Sequence, residues 1–264
     1  MKYKDKNRLL HAKGHHKIKS LLVVSDPGKE EPSVFIAVPN MGTIHTELML
    51  QLVSWMVGKK VLIFPPQKFY PIAKARNVCV EAFLKSDYEW LFFVDSDTVP
   101  PADALDILLK DDKQFISGIV YTLKQCTDGI SRPVPCVFRK PKNKREYKEC
   151  GKTKAYYPIK KNYKGLKEIA AAGMACTLLH RSVFKNLKPP YFKERFVPKP
   201  GQIETGEDIM FCQEMERQGV KMWADFRVRC GHWKEIRIDS PFSLEVKPHE
   251  SGERWNIKSK KFEK

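Results

Sequence analysis

Two aspartates separated by one residue follow the most apolar strand-like segment of the chain. Asp95 and Asp97 come directly after the segment Trp90–Val94, so both carboxylates leave the end of one strand. Mg²⁺ and Mn²⁺ prefer oxygen ligands, and Mg²⁺ is commonly held by one or two carboxylates together with phosphate oxygens. The pair therefore suits a divalent cation bound with a phosphate-bearing substrate. The simpler interpretation, a turn in which one aspartate caps the helix that begins near Pro101, stays open.

A second acidic pair, Glu207 and Asp208, opens an amphipathic segment. A carboxylate at a helix start near the edge of a sheet could take a proton from an attacking hydroxyl. The same residues also complete a capping box, because Thr205 precedes Asp208 by three positions, and a cap needs no catalytic role. Taken alone, these residues favour the cap.

Three further features have both a chemical and a structural interpretation. His232, in the run Gly231-His232-Trp233, could be a metal ligand, a general acid or base, or a hydrogen-bonded core residue. Arg76, at a helix start, could grip a diphosphate or lie on the helix surface. The small residues around Gly173 would let backbone approach a ligand, or would mark tight packing between elements.

These side chains need a scaffold, and strand-like and helix-like segments alternate along the chain. Strands are predicted over 34–38, 61–64, 90–94, 115–120 and 222–224, and helices over 43–57, 73–85, 101–109, 181–187 and 207–218. Such alternation indicates an α/β fold with a mostly parallel, Rossmann-like sheet and helices on both faces. Ligands collect at the carboxyl ends of strands in open α/β sheets, which is where Asp95 and Asp97 fall.

The chain is long enough for one domain with appendages. We expect a basic N-terminal extension over 1–31, a catalytic domain over 32–240 and a C-terminal extension over 241–264. Within the domain, residues 139–167 hold twelve Lys or Arg and two Glu with few aliphatic residues. This stretch is predicted to be an exposed insertion that supplies little core.

Charge and composition narrow the cellular setting. The 264 residues include 48 Lys plus Arg and 31 Asp plus Glu, a formal net charge of +17, which favours anionic partners. No apolar run approaches the roughly 20 residues of a membrane span, and the basic N-terminus lacks the apolar centre of a secretory signal. Seven cysteines, an odd number without a zinc-module spacing, are expected to be mostly reduced. We therefore expect a cytoplasmic protein.

The order of these motifs resembles that of GT-A fold glycosyltransferases, especially family-2-like enzymes of bacteria and phages. The resemblance covers about residues 33–235. In chain order its motifs are Val38-Pro39-Asn40, Ala75-Arg76-Asn77, Phe93-Val94-Asp95-Ser96-Asp97, Ala172-Gly173-Met174, Gly206-Glu207-Asp208 and Gly231-His232.

The resemblance implies transfer of a sugar from a nucleoside-diphosphate sugar to a hydroxyl acceptor, with inversion favoured. It implies Mn²⁺ or Mg²⁺ held by Asp97 and His232 with help from Asp95, and Asp208, or else Glu207, as the catalytic base. The nucleotide-sugar-binding residues that it implies are Pro39, Asn40, Arg76, Asp95, Ser96 and Gly173. A bacterial cytoplasm, or that of a phage-infected host, is the expected location.

The basic insertion bears on the acceptor. Lysines beside tyrosines suit a polyanion with stackable bases, such as a hydroxymethylated base in phage DNA. Anionic polysaccharide or a lipid phosphate is the competing acceptor. The expected acceptor-binding residues are Lys152, Lys154, Tyr156, Tyr157 and Trp233.

Two other functions stay open. A non-catalytic nucleic-acid-binding protein would use the basic surface without needing a metal or a donor. A nucleotidyltransferase would also pair aspartates around Mg²⁺, but the sequence has no glycine-rich phosphate loop with a lysine.

Overall fold

A central eight-stranded sheet positions the candidate residues. The computed structural model describes residues 23–25, 32–125, 131–149, 156–159, 163–196, 203–234, 254–256 and 261–263. Its strands are β1 (Val23–Ser25), β2 (Val34–Ala37), β3 (Val61–Phe64), β4 (Trp90–Val94), β5 (Thr98–Val99), β6 (Phe115–Ile119), β7 (Tyr121–Gln125), β8 (Ser131–Pro135), β9 (Val137–Arg139), β10 (Tyr157–Pro158), β11 (Leu166–Ile169), β12 (Ala171–Ala172), β13 (Cys176–His180), β14 (Arg195–Phe196), β15 (Ile203–Thr205), β16 (Met222–Arg229), β17 (Gly231–His232), β18 (Arg254–Asn256) and β19 (Lys261–Glu263). Its α-helices are α1 (Thr46–Trp55), α2 (Ile72–Leu84), α3 (Ala104–Lys110), α4 (Lys144–Glu149) and α5 (Glu207–Arg217), and a 3-10 helix spans Arg181–Phe184.

The strand order of the central sheet is β1-β3-β2-β4-β13-β6-β16-β11. Strands β2, β3, β4, β6 and β16 run in one direction, and β1, β11 and β13 run in the other. Five of the eight strands are therefore mutually parallel, which confirms the predicted α/β class. The reversed strand β13 lies in the middle of the sheet, between β4 and β6.

Both faces of the sheet are covered by helices. All five residues of β4 are buried, as expected for a strand with helices above and below. Leu91 and Phe93 pack with residues of α2 and α5, whereas Trp90, Phe92 and Val94 pack with residues of α1 and α3. Truncating a fully buried Phe of this strand to Ala would cost roughly 3–5 kcal/mol of stability.

The connections that follow β2 and β4 run toward opposite edges of the sheet. After β2 the chain crosses through α1 to β3 on one side, and after β4 it crosses through α3 to β6 on the other. A crevice forms outside the carboxyl ends of neighbouring strands at such a switch point, and it is the usual ligand site of open α/β sheets. Asp95 and Asp97 directly follow β4 at this place.

The structure departs from the sequence prediction in several places. The helix predicted over 181–187 is a 3-10 helix over Arg181–Phe184, and the strand predicted over 222–224 continues to Arg229. An edge strand, β1, pairs with β3 ahead of residue 32, where only an extension was expected. Helix α3 begins at Ala104 rather than near Pro101, and Asp103 is its N-cap, so neither Asp95 nor Asp97 caps it. Within 139–167, Tyr156 and Ile159 belong to the core, so this stretch is not uniformly exposed. Among the described residues no helix is long and apolar enough to cross a membrane.

Candidate functional site

A buried arginine joins the ends of three elements at the crevice. Arg76 is only 3% exposed, and its Nε donates to Glu207 Oε1 at 3.1 Å while Nη2 donates to Asp95 Oδ2 at 3.2 Å. Burial alone would lower the pKa of Arg76, but the charges of Asp95 and Glu207 outweigh it and raise that pKa. The guanidinium is therefore permanently charged, and it ties α2, the end of β4 and the start of α5 together.

Asp97 is the centre of a second cluster. Its Oδ2 lies 3.2 Å from His232 Nε2 and accepts a hydrogen bond from Lys234 Nζ at 2.9 Å. Burial by itself raises the pKa of Asp97, but the hydrogen bonds from His232 and Lys234 outweigh it and lower the pKa to about 2. Asp97 is therefore a carboxylate at any physiological pH.

His232 is held in a fixed orientation. Strand β17 pairs with β5, which places His232 opposite Thr98, next to Asp97. His232 Nδ1 lies 2.6 Å from the Tyr121 carbonyl oxygen, and since a carbonyl only accepts, Nδ1 must donate. That bond directs Nε2 at Asp97. Metal-ligating histidines are usually oriented in this way, by a carbonyl or carboxylate on the other ring nitrogen.

Asp208, in the first turn of α5, differs from Asp97 because its pKa is raised and not lowered. Burial raises its pKa to about 6, with the neighbouring charge of Glu207 adding to the effect. Its Oδ1 accepts a hydrogen bond from the Ile209 amide at 2.7 Å. A Cβ built on Gly173 would lie 3.6 Å from Asp208 Oδ2, so the glycine backbone is a direct neighbour of that oxygen. A carboxylate with a pKa near neutrality can accept a proton and release it.

The two clusters belong to one region. Cys136 lies beside Gly173, whose amide donates to the Cys136 carbonyl at 2.8 Å. Burial raises the pKa of this thiol to about 11, and the charges of Asp208, Lys234 and Asp95 also act on it. Asp95 of the first cluster and Asp97 of the second lie in the same loop after β4, where the Thr98 amide donates to the Asp95 carbonyl at 2.9 Å.

Asp97 and His232 have the spacing of two ligands of one divalent cation. Among the described residues, no three His, Cys, Asp or Glu side chains converge as a complete metal cluster. The 3.2 Å between Asp97 Oδ2 and His232 Nε2 is nevertheless close to the spacing of about 3 Å between adjacent ligands of an octahedral ion with bonds of about 2.1 Å. Asp95 Oδ1 is buried without a hydrogen-bond partner, although Arg76 Nη2 is 3.1 Å away. Two protein ligands and substrate phosphates fit such an ion.

The structure shows local backbone roles for several residues that the sequence analysis singled out. The Thr205–Asp208 capping box does not form, because Gly206 is the N-cap of α5 and receives no side-chain cap. Pro39 is buried, and the Asn40 amide donates to the carbonyls of Val38 and Pro66 while its oxygen accepts from Gly42. These two side chains build the loop after β2, and their contact with a nucleotide sugar stays a prediction.

Arg76 and Ser96 lie beside the two clusters. The Arg76 guanidinium is buried and bonded to Asp95 and Glu207, so it supports the site, and its grip on a diphosphate stays a prediction. Ser96 is partly exposed, and its carbonyl accepts a hydrogen bond from the His45 amide at 3.0 Å.

The expected acceptor residues divide into three groups. Lys152 and Lys154 lie outside the described residues. Tyr156 is only 5% exposed, which contradicts its expected role in base stacking, since its ring packs into the core. Tyr157 is half-buried under the Arg139 guanidinium. Trp233 is 47% exposed beside Asp97, so of this set it alone is shown at the candidate site.

The structure adds residues that the sequence did not single out. Lys234 reaches Asp97, and its only sequence signal is its place directly after His232 and Trp233. His45 stacks on Trp233 with the ring centroids 4.2 Å apart, and Cys136 lies beside Gly173. Neither His45 nor Cys136 stands in a motif.

Comparisons with known proteins find fold likeness at low sequence identity. No family model and no curated protein matches the chain. One similar solved structure is A197 from STIV, with a TM-score of 0.48 and 18% identity, covering 77% of this chain and 86% of that one. Another is GalNAc-T7, solved with UDP, GalNAc and Mn²⁺, with a TM-score of 0.45 and 11% identity, covering 82% of this chain. The match spans 46% of the GalNAc-T7 chain.

Proposed function

We propose that this protein is a metal-dependent glycosyltransferase that moves a sugar from a nucleoside-diphosphate sugar to a hydroxyl acceptor with inversion. The observation that carries the proposal is the bridge from Arg76 to Asp95 and Glu207, which ties the loop that carries Asp97 to the helix start that carries Asp208. Asp97 stays ionised and lies next to His232, whereas Asp208 has a pKa of about 6 and lies next to Gly173. The order of motifs that resembles GT-A fold enzymes supports the same assignment.

Asp97 and His232 would hold Mn²⁺ or Mg²⁺. Such an ion, when bound, neutralises the charge that develops on a departing diphosphate. The Tyr121 carbonyl keeps the His232 ring in place, and the Trp233 amide donates to the Asp97 carbonyl at 2.8 Å, which fixes the loop after β4. Asp95, held by Arg76, adds negative charge behind this pair.

Asp208 is proposed as the general base for the acceptor hydroxyl. Its raised pKa lets it accept that proton near neutral pH, which an ordinary aspartate does poorly. Glu207 is less suited to this role, because its carboxylate is already bonded to Arg76 at 3.1 Å. The two neighbouring acids therefore have different proposed roles. Glu207 anchors α5 to Arg76, and Asp208 accepts the proton of the acceptor hydroxyl.

The formal net charge of +17 supports an anionic acceptor. Transfer to DNA that carries hydroxymethylated bases is the specific form of this proposal, and Trp233 is an exposed aromatic side chain next to Asp97 that suits stacking. Anionic glycans and lipid phosphates are the acceptors against which DNA should be compared.

Product formation tests the proposal. The protein is incubated with uridine, guanosine, cytidine or thymidine diphosphate sugars and Mn²⁺, and release of the nucleoside diphosphate is followed with and without each acceptor. We expect release from one donor class that is abolished by EDTA and by Asp97→Ala. The exposed substitution Lys221→Met, on a lysine paired with Glu168, is the matched control. Release that is unaffected by Asp97→Ala would contradict the assignment.

A further inference from the structure

Lys234 places a protein cation on the oxygen that a metal ion would need. Its Nζ lies 2.9 Å from Asp97 Oδ2, and His232 Nε2 lies 3.2 Å from the same atom. A divalent ion bound by Asp97 and His232 must approach that oxygen, and two cations sharing one oxygen repel each other. Lys234 and the ion therefore compete for Asp97.

The lysine is free to change partners. Its side chain is 43% exposed, and a lysine carries its charge on a flexible four-carbon stem. Asp97 is the partner that the structure shows for its ammonium group. A diphosphate bound beside Asp97 would offer the displaced ammonium new oxygen acceptors, and lysine is a common point-charge ligand of phosphates.

We propose that Lys234 is an exchanging cation: it neutralises Asp97 in the free protein and moves to the diphosphate when the metal and the donor bind. This inference rests on the proposed function and adds a residue to it.

The exchange predicts effects of opposite sign for one substitution. In Lys234→Met, Mn²⁺ alone should bind about tenfold more tightly, because the competing ammonium is gone. Pyrophosphate at saturating Mn²⁺ should bind about tenfold more weakly, because a phosphate ligand is lost. Lys234→Arg keeps the charge and should restore both affinities to near the wild-type values. A residue that merely stabilises the loop would not move the two constants in opposite directions.

Titration of the full chain with Mn²⁺ and with pyrophosphate tests the exchange of Lys234 between its two partners. Free Mn²⁺ is followed by its electron paramagnetic resonance signal, and pyrophosphate binding by calorimetry, with Lys221→Met as control. Equal affinities in Lys234→Met and wild type, or a loss of both, would overturn the exchange while leaving the proposed function intact. A wild-type protein that binds no Mn²⁺ would overturn both. If the wild-type protein binds Mn²⁺ but does not bind pyrophosphate, the proposed move of Lys234 to the diphosphate is overturned.

Discussion

Replacing Asp208 with Asn should stabilise the protein and abolish transfer at the same time. The folded protein raises the pKa of Asp208 from 3.8 to about 6, mainly through burial. Each pKa unit corresponds to about 1.4 kcal/mol, so the ionised carboxylate costs about 3 kcal/mol of folding free energy at most. This is an upper limit, because the side chain keeps some contact with water. The isosteric amide removes the charge and with it this cost.

The pH dependence of the difference follows from the same shift. Below about pH 4, Asp208 is protonated in both folded and unfolded protein, so the variant and the wild type should differ little. Between about pH 4 and pH 6 the folded protein binds the proton more tightly than the unfolded chain, so the wild type loses stability as pH rises. Above about pH 6 the advantage of the variant should be full and constant.

Urea unfolding at pH 4, 5, 6 and 7.5 measures the difference, and nucleoside diphosphate release measures activity. We expect Asp208→Asn to gain between 1 and about 3 kcal/mol at pH 7.5 and to lose roughly 10²–10⁴-fold in rate. The wild-type rate should fall about tenfold for each pH unit below 6, because the base becomes protonated. A variant that is less stable than wild type at pH 7.5 would refute the burial argument, and one that keeps its rate would refute the base.

Two further substitutions test the scaffold of the site. Arg76→Met leaves Asp95 and Glu207 without their cation and should lower the free energy of unfolding in urea by roughly 3–5 kcal/mol. The control Arg217→Met, at an exposed arginine, should change it by less than about 0.5 kcal/mol. Equal effects of the two substitutions would contradict the tie between α2, β4 and α5. Gly118→Ala places a Cβ 2.7 Å from Val228 Cγ1 and 2.9 Å from Cys176 Sγ, between the strands that lead to the site, and should lower the free energy of unfolding by roughly 1–3 kcal/mol. Gly231→Ala is the control, because a Cβ built there lies 3.7 Å from its nearest neighbour, Val99. A Gly118→Ala protein as stable as that control would show that the sheet relaxes around the added methyl group.

Local sequence patterns were sufficient for most of the elements in the first half of the fold. Strands 61–64 and 90–94 have the predicted bounds, because short apolar runs between turn residues allow little else. Strand direction is not encoded in such runs. The apolar stretch from Ile169 to Leu179 divides into parts of β11, β12 and β13, and only tertiary packing sets β13 antiparallel between β4 and β6.

The candidate site was predictable where chemistry and topology coincide. Asp95 and Asp97 lie at the strand edge that the alternation of elements indicates, and β5 pairs with β17 to bring His232 to Asp97 from 135 positions away. The burial of Arg76 and Tyr156 was not predictable, because a charge-rich or helix-start context favours exposure and only long-range packing overrides it. Lys234 was missed for a related reason: its partner is distant in sequence.

Metal-dependent binding of a nucleoside diphosphate is the most direct test of the central claim. The thermal unfolding of wild type and Asp97→Ala is measured with uridine, guanosine, cytidine and thymidine diphosphates, each with Mn²⁺ and again with EDTA. A ligand at 100 times its Kd stabilises the folded protein by about 2.7 kcal/mol, which is readily seen as a rise in Tm. The account predicts that one nucleotide raises the Tm of the wild type only with Mn²⁺ and leaves Asp97→Ala unchanged. No shift with any of the four, or an equal shift in Asp97→Ala, would contradict it.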